Sequence, residues 1–187
     1  EEAVQLQLDG GTRCSVRLVD CVGYMVPGAV GLTEDGAERM VMTPWYDDEI
    51  PMTRAAEEGT RRVIADHSSI GILVTTDGSV CGIDREDYIP AEERAAQELQ
   101  RAGKPFIILL NCAAPRSEEA AALSSELAEK YSAVCMPVNC LELDASGIEE
   151  IIKTIVFEFP ITRLSVYLPG WTDALEPDGG IKSSLYA

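Results

Sequence analysis

Phe106-Ile107-Ile108-Leu109-Leu110, followed at once by Asn111, is the stretch on which the fold turns. Five consecutive large apolar residues cannot make a strand with one wet face, because alternate side chains point to opposite sides of a sheet. Such a run requires cover on both faces, as in the interior of an α/β domain. Ile70 to Thr75 and Val134 to Val138 have the same character. Between and around these runs the pattern turns helical. Ala91 to Ala102 places Ala95, Leu99 and Ala102 at helical spacing and is closed by Gly103 and Pro105. Ser117 before Glu118 and Glu119 predicts an N-cap with an acidic first turn, and Leu123, Leu127 and Tyr131 form its apolar stripe. After Ser146-Gly147, residues Ile148, Ile151, Ile152, Ile155, Val156 and Phe159 share one helical face, with Pro160 as the stop. A fourth helix is predicted over Thr53 to Asp66. Strands alternating with helices imply a mainly parallel open sheet that binds ligands outside the carboxyl ends of its strands.

Two more apolar runs, Val4 to Leu8 and Val16 to Val19, flank Asp9-Gly10-Gly11, and this predicts an antiparallel hairpin. The segment Met25 to Pro51 holds Gly28, Gly31, Gly36, Pro27, Pro44 and Pro51 and is expected to be a long functional or mobile loop. Ile161 to Leu168 reads as one further strand. The expected division is residues 1–160 as one domain and 161–187 as a linker or the start of a following segment.

The chain has 187 residues, 46% of them hydrophobic, enough to bury one sizeable core. Its formal net charge of −17 would repel a nucleic-acid backbone or an anionic bilayer over most of the surface. No transmembrane segment is expected, since no apolar run approaches roughly 18 to 20 residues, and the acidic start Glu1-Glu2 lacks the order of a signal peptide. The expectation is a soluble cytosolic protein. Six cysteines without a C-x-x-C pair, beside a single histidine, point to buried reduced thiols and not to a metal site.

The string Arg17 to Tyr24, RLVDCVGY, ends an apolar run on Asp20 and places Gly23 three residues later. That is the D-x-x-G spacing of nucleotide switch proteins. An Asp at a strand's carboxyl end can hold magnesium through water, and a glycine lets its own N–H approach a γ-phosphate; the alternative is a turn after a core strand. Asn111 stands where guanine-specific relatives begin Asn-Lys-x-Asp, yet the string here is Asn111-Cys112-Ala113-Ala114. With no carboxylate at Ala114, nothing in this loop selects guanine, so adenine is at least as plausible; a plain strand-end turn is the alternative for Asn111. The last strand, ending Pro137-Val138-Asn139-Cys140, occupies the place where related proteins supply a backbone amide to the base. Tyr24 stands where many small GTPases carry the water-orienting Gln, so another group or a partner chain is expected to place the water. No G-x-x-x-x-G-K-[ST] occurs, so the phosphate-binding strand, loop and helix are expected before Glu1, and the chain by itself is expected to be inactive. Thr75-Thr76-Asp77-Gly78 reads as a turn, with a place lining the nucleotide cleft as the alternative, Glu92, Glu93 and Arg94 as a solvated helix face, and Trp45 and Tyr46 as a docking anchor or a local clamp. His67 has no triad partners.

Beyond these generic features the ordered strings RLVDCVGY, TPWY (residues 43–46), AAEEGTRRVI (55–64), HSSIGILVTTDGSV (67–80), AEER (91–94), GKPF (103–106) and EFP (158–160) resemble the stage IV sporulation protein A family. The resemblance implies a P-loop NTPase sheet of the translation-factor GTPase class, with an antiparallel hairpin edge, that hydrolyses ATP with Mg2+. It implies a protein that polymerises on the outer forespore membrane in the mother-cell cytoplasm as the base of the spore coat. The implied partners are further copies of itself, a small amphipathic membrane-recruitment peptide and other coat proteins. By position, the resemblance makes Asp20 the magnesium-associated aspartate and Gly23 the γ-phosphate glycine. A GTPase-type switch acting on a protein partner and a structural tile with a degenerate nucleotide site are the competing readings.

Overall fold

The structure, a computed structural model, describes residues 2–7, 13–34 and 36–159. In chain order, β1 (Val4–Gln7) and β2 (Arg13–Val16) form an antiparallel hairpin, β3 (Thr33–Glu34) pairs with β4 (Ala37–Glu38), and β5 (Met40–Thr43) pairs with β6 (Tyr46–Pro51). Helix α1 (Met52–Arg62) runs into a π-helical turn, Val63–His67. Then come β7 (Gly71–Thr76), α2 (Arg85–Arg101), β8 (Phe106–Asn111), α3 (Glu118–Tyr131), β9 (Cys135–Val138) and α4 (Ala145–Phe157). The last three strands make a parallel sheet in the order β7-β8-β9.

The unbroken apolar run of β8 is explained by its central place. Phe106, Ile108 and Leu110 enter one core with Leu73, Ala96, Leu99, Leu127 and Tyr131, which come from β7, α2 and α3. Ile107 and Leu109 enter the opposite core with Val138 and with Ile151, Ile152 and Ile155 of α4, and Leu6, Cys14 and Val16 of the hairpin pack against it. Ile107, Ile108 and Leu110 are fully buried. Each such side chain contributes about 1.5–3 kcal/mol by leaving water, so this one strand joins both layers.

Several expectations need correction. The hairpin forms a two-stranded sheet of its own, so it is not hydrogen-bonded to the parallel sheet as an edge. Its second strand is Arg13–Val16 and not Val16 to Val19; Leu18 and Val19 are exposed. Residues 25–51 are not structureless, since four short strands fall inside them. Helix α2 begins at Arg85, six residues before the predicted start, with Pro90 inside it. An ion pair from Arg85 to Glu92, two turns along the same helix, ties down the part that Pro90 weakens. The Ser117 hydroxyl accepts from the Ala120 N–H as a cap, and α4 is capped by Asp144, which accepts from the Gly147 N–H. Among the described residues no helix is long and apolar enough to cross a membrane. The expected strand Ile161 to Leu168, the stop at Pro160 and the boundary after residue 160 lie outside the described residues.

Candidate functional site

Among the described residues β7 is an edge strand: its only sheet neighbour is β8. On the side away from α2 its side chains lack cover, and Ile72 is 37% and Val74 57% exposed. Two cavities lie along this edge. One, of about 530 Å³, is walled by Cys14–Val19 on one side and Ile70, Ile72, Ile152 and Ile155 on the other. The second, of about 420 Å³, is bounded by Val19–Tyr24, by Thr60 of α1 and Ile64 of the π-helical turn, and by β7 from Gly71 to Thr75. The hairpin side and β7 thus face each other across a largely apolar gap without pairing.

Asp20 and Gly23 both line the second cavity. Asp20 is exposed, four residues past the end of β2. Gly23 has φ +79°, in the left-handed region where a side chain is strained, and a Cβ there would meet nothing within 4 Å. The need for glycine is therefore one of backbone conformation. Its N–H donates to the Thr60 hydroxyl of α1 at 3.0 Å. Tyr24 stacks beneath Arg94 of α2, whose guanidinium lies 4.5 Å from the ring centroid, and Arg94 is also hydrogen-bonded to Glu57 of α1 at 2.8 Å. Burial pushes the Tyr24 phenol up, with Glu98 adding to it. Arg94 in this way bridges α2 to α1 and holds the Tyr24 ring against α2.

Asn111, Asn139 and Cys140 form a separate group at the carboxyl ends of β8 and β9. The Asn111 side-chain carbonyl accepts from the Cys140 N–H at 3.0 Å, and the Asn139 side chain accepts from Leu141 N–H at 3.1 Å. Ala113 N–H donates to the Ser79 hydroxyl at 2.9 Å, which ties this corner to the loop after β7. The structure brings Asn111 and Cys140 together but does not bring them to the cavity that holds Asp20 and Gly23. Asn111 bonds a neighbouring loop, not its own backbone as a simple turn would.

Glu92 is not on a solvated face. Its side chain is 1% exposed, ion-paired to Arg85 at 2.7 Å, and accepts from the Thr75 hydroxyl at 2.6 Å and from the Tyr131 hydroxyl at 2.8 Å. Burial is the main cause that pushes the Tyr131 phenol up to about 12, and the bond to Glu92 adds to it. The signal that could have revealed Glu92 is its spacing to Ala96 and Leu99 on the buried stripe of α2. Arg94 and Glu93 keep the outer side, paired to Glu57 and Lys130. Thr76 and Asp77 accept from the Gly78 and Ser79 amides, a turn as expected. Trp45 and Tyr46 are clamps on α1: Arg62 lies 5.2 Å from the Trp45 ring and Arg54 5.1 Å from the Tyr46 ring. The thiols correct another expectation, since Cys21, Cys81 and Cys140 are exposed and only Cys112 is fully buried.

Whether these residues suit magnesium and a triphosphate can be tested on the donor set. Among the described residues no group of three or more His, Cys, Asp or Glu side chains could enclose a metal ion. A single exposed carboxylate suits a contact through water, and a cavity-lining glycine amide suits a phosphate oxygen. The fit is that of one wall of such a site.

The chain resembles, over 98% of its length, proteins named Stage IV sporulation protein A from Clostridioides difficile (strain 630), at 46% identity, and from Bacillus subtilis (strain 168) and Bacillus anthracis, each at 40%. It spans 38% of the length of the first of these relatives and 37% of the other two. No solved structure matches it significantly. The family model described as Stage IV sporulation protein A, ATPase domain, matches residues 1–160, and with its sheet, helices and D-x-x-G segment this chain belongs to that family.

Proposed function

We propose that this chain is the larger part of an ATP-hydrolysing domain, and that the whole protein uses hydrolysis to drive its own assembly on the forespore surface as the base of the spore coat. The observation that carries the reading is the cavity that Asp20 and Gly23 share beside the unpaired edge of β7. In this reading a strand from outside the chain enters the apolar gap, pairs with β7, and is followed by a phosphate-binding loop and a helix that covers Ile72 and Val74. The P-loop sheet of translation-factor type would then be complete. The relatives are more than twice as long as this chain, which leaves ample sequence for that unit.

In the mechanism, Asp20 would hold magnesium through a bound water, and Gly23 would give its N–H to a γ-phosphate oxygen. Bound magnesium would neutralise the charge that develops on the transferred phosphoryl group. Tyr24, held beneath Arg94, which is itself anchored to Glu57, leaves water orientation to another group or to a partner chain. Asn111 and the turn at Asn139 and Cys140 would form the base pocket, which lacks the carboxylate that selects guanine. Self-association, capture by a small amphipathic membrane peptide in the mother-cell cytoplasm and docking of later coat proteins belong to the same proposal.

The test is hydrolysis by the full-length protein. Asp20→Ala should abolish turnover of ATP while the protein remains folded, and retained turnover would refute the role of Asp20. Competition binding on the same protein tests the base: guanine nucleotides that displace ATP analogues more strongly than adenine nucleotides do would overturn the assignment to ATP.

A further inference from the structure

We propose that Thr60 and Arg94 form a latch that holds the Asp20–Tyr24 segment in a resting state, and that a triphosphate must break it. The inference rests on the reading of Gly23 given above, and adds to it a regulatory role for two residues outside the D-x-x-G string. An N–H carries one proton, and the Gly23 amide already donates it to the Thr60 hydroxyl at 3.0 Å. It cannot at the same time make a well-aligned bond to a phosphate oxygen.

Thr60 is well placed to compete. It is 3% exposed, in the middle of α1 beside buried Ala56, so its hydroxyl does not wander with solvent. One residue later the Tyr24 ring is held by Arg94, which is itself fixed to Glu57. The segment is thus tied to α1 through Thr60 and to α2 through Arg94. A diphosphate offers no γ-oxygen and leaves both ties intact. A triphosphate draws the Gly23 amide away from α1, so the latch opposes triphosphate binding and leaves diphosphate binding alone. Asp20, Cys21 and Val22 also wall a groove of about 430 Å³ with Met42, Trp45 and Gly59, so release of the latch would reshape the β5–β6 side of the molecule as well.

The experiment compares full-length wild-type protein with Thr60→Val, Thr60→Ser and Arg94→Ala. The measurements are the Kd for a non-hydrolysable ATP analogue, the Kd for ADP, and hydrogen exchange of the peptide that spans residues 20–24. Thr60→Val should tighten the analogue about fivefold, the factor that a neutral hydrogen bond of ordinary net strength makes, while ADP affinity stays constant. Without nucleotide it should also speed exchange of the peptide. Thr60→Ser keeps the hydroxyl and should match wild type on all three readouts. Arg94→Ala should move the analogue-to-ADP ratio in the same direction. Equal shifts for both nucleotides, an effect of Thr60→Ser as large as that of Thr60→Val, unchanged exchange, or an Arg94→Ala ratio equal to wild type would each overturn the latch. If wild-type protein bound no adenine nucleotide, the reading under the previous heading would fail and the latch with it; normal wild-type binding with an unmoved ratio would sink the latch alone.

Discussion

Replacing Glu92 with Gln tests whether the buried network under α2 is a structural keystone. The carboxylate is 1% exposed and satisfies three partners, Arg85, Thr75 and Tyr131. Gln keeps the shape but removes the charge that faces Arg85, and only its one carbonyl oxygen accepts, so one of the two hydroxyls loses its acceptor. Breaking a buried ion pair from one side costs about 3–5 kcal/mol. Arg85 is 15% exposed and can recover some hydration, which places the expectation near the low end, about 3 kcal/mol. With a urea slope of about 2 kcal/mol per molar, the unfolding midpoint should fall by about 1.5 M. The double substitution Glu92→Leu with Arg85→Met removes both charges and should be less damaging than Glu92→Gln. A midpoint shift for Glu92→Gln under about 0.5 M, or a double variant no more stable than the single one, would refute the reasoning.

Three further outcomes are expected. Gly71→Ala would place a Cβ 2.5 Å from Leu99 Cδ2 and 3.2 Å from Phe106 Cβ; the buried end of Leu99 must shift to make room, and overpacking should cost about 1 kcal/mol, visible as a lower Tm. Gly23→Ala meets no neighbour but forces a side chain onto φ +79°, so a loss of about 1 kcal/mol and a Tm lowered by about 3 °C are expected; an unchanged Tm would mean that the turn is not held in that conformation. The Tyr131 phenol is raised to about 12, mainly by burial, so its stabilising contribution is complete below the unfolded value of about 10 and is lost as pH rises from there through about 12. Urea midpoints measured across that window should fall more steeply for wild type than for Tyr131→Phe, and parallel curves would contradict this.

Local chemistry made much of the parallel core legible in advance. The run Phe106 to Leu110 announced a strand buried on both faces because no other arrangement keeps five large apolar side chains dry, and α3 was readable from its cap and stripe. The D-x-x-G spacing and the missing phosphate-loop motif were likewise properties of the string alone. The antiparallel pairs within residues 25–51 were not readable. Strands such as Tyr46–Pro51, with Asp47, Asp48 and Glu49 in a row, carry little apolar pattern and are held by pairing and by the clamp of Trp45 on α1.

Composition and spacing therefore determined the α/β class and the residues that deserve a biochemical test, and the ordered strings pointed to the family. Only the tertiary structure decided how those residues are held: that Glu92 is inside, that Asn111 reaches Cys140 across 29 positions, and that the Gly23 amide is already bonded to a hydroxyl 37 positions away. The reason is physical. Hydrophobic periodicity is a local property of the chain, set by burial, whereas a polar group's partner is chosen by whichever donor or acceptor the packed core leaves within about 3 Å.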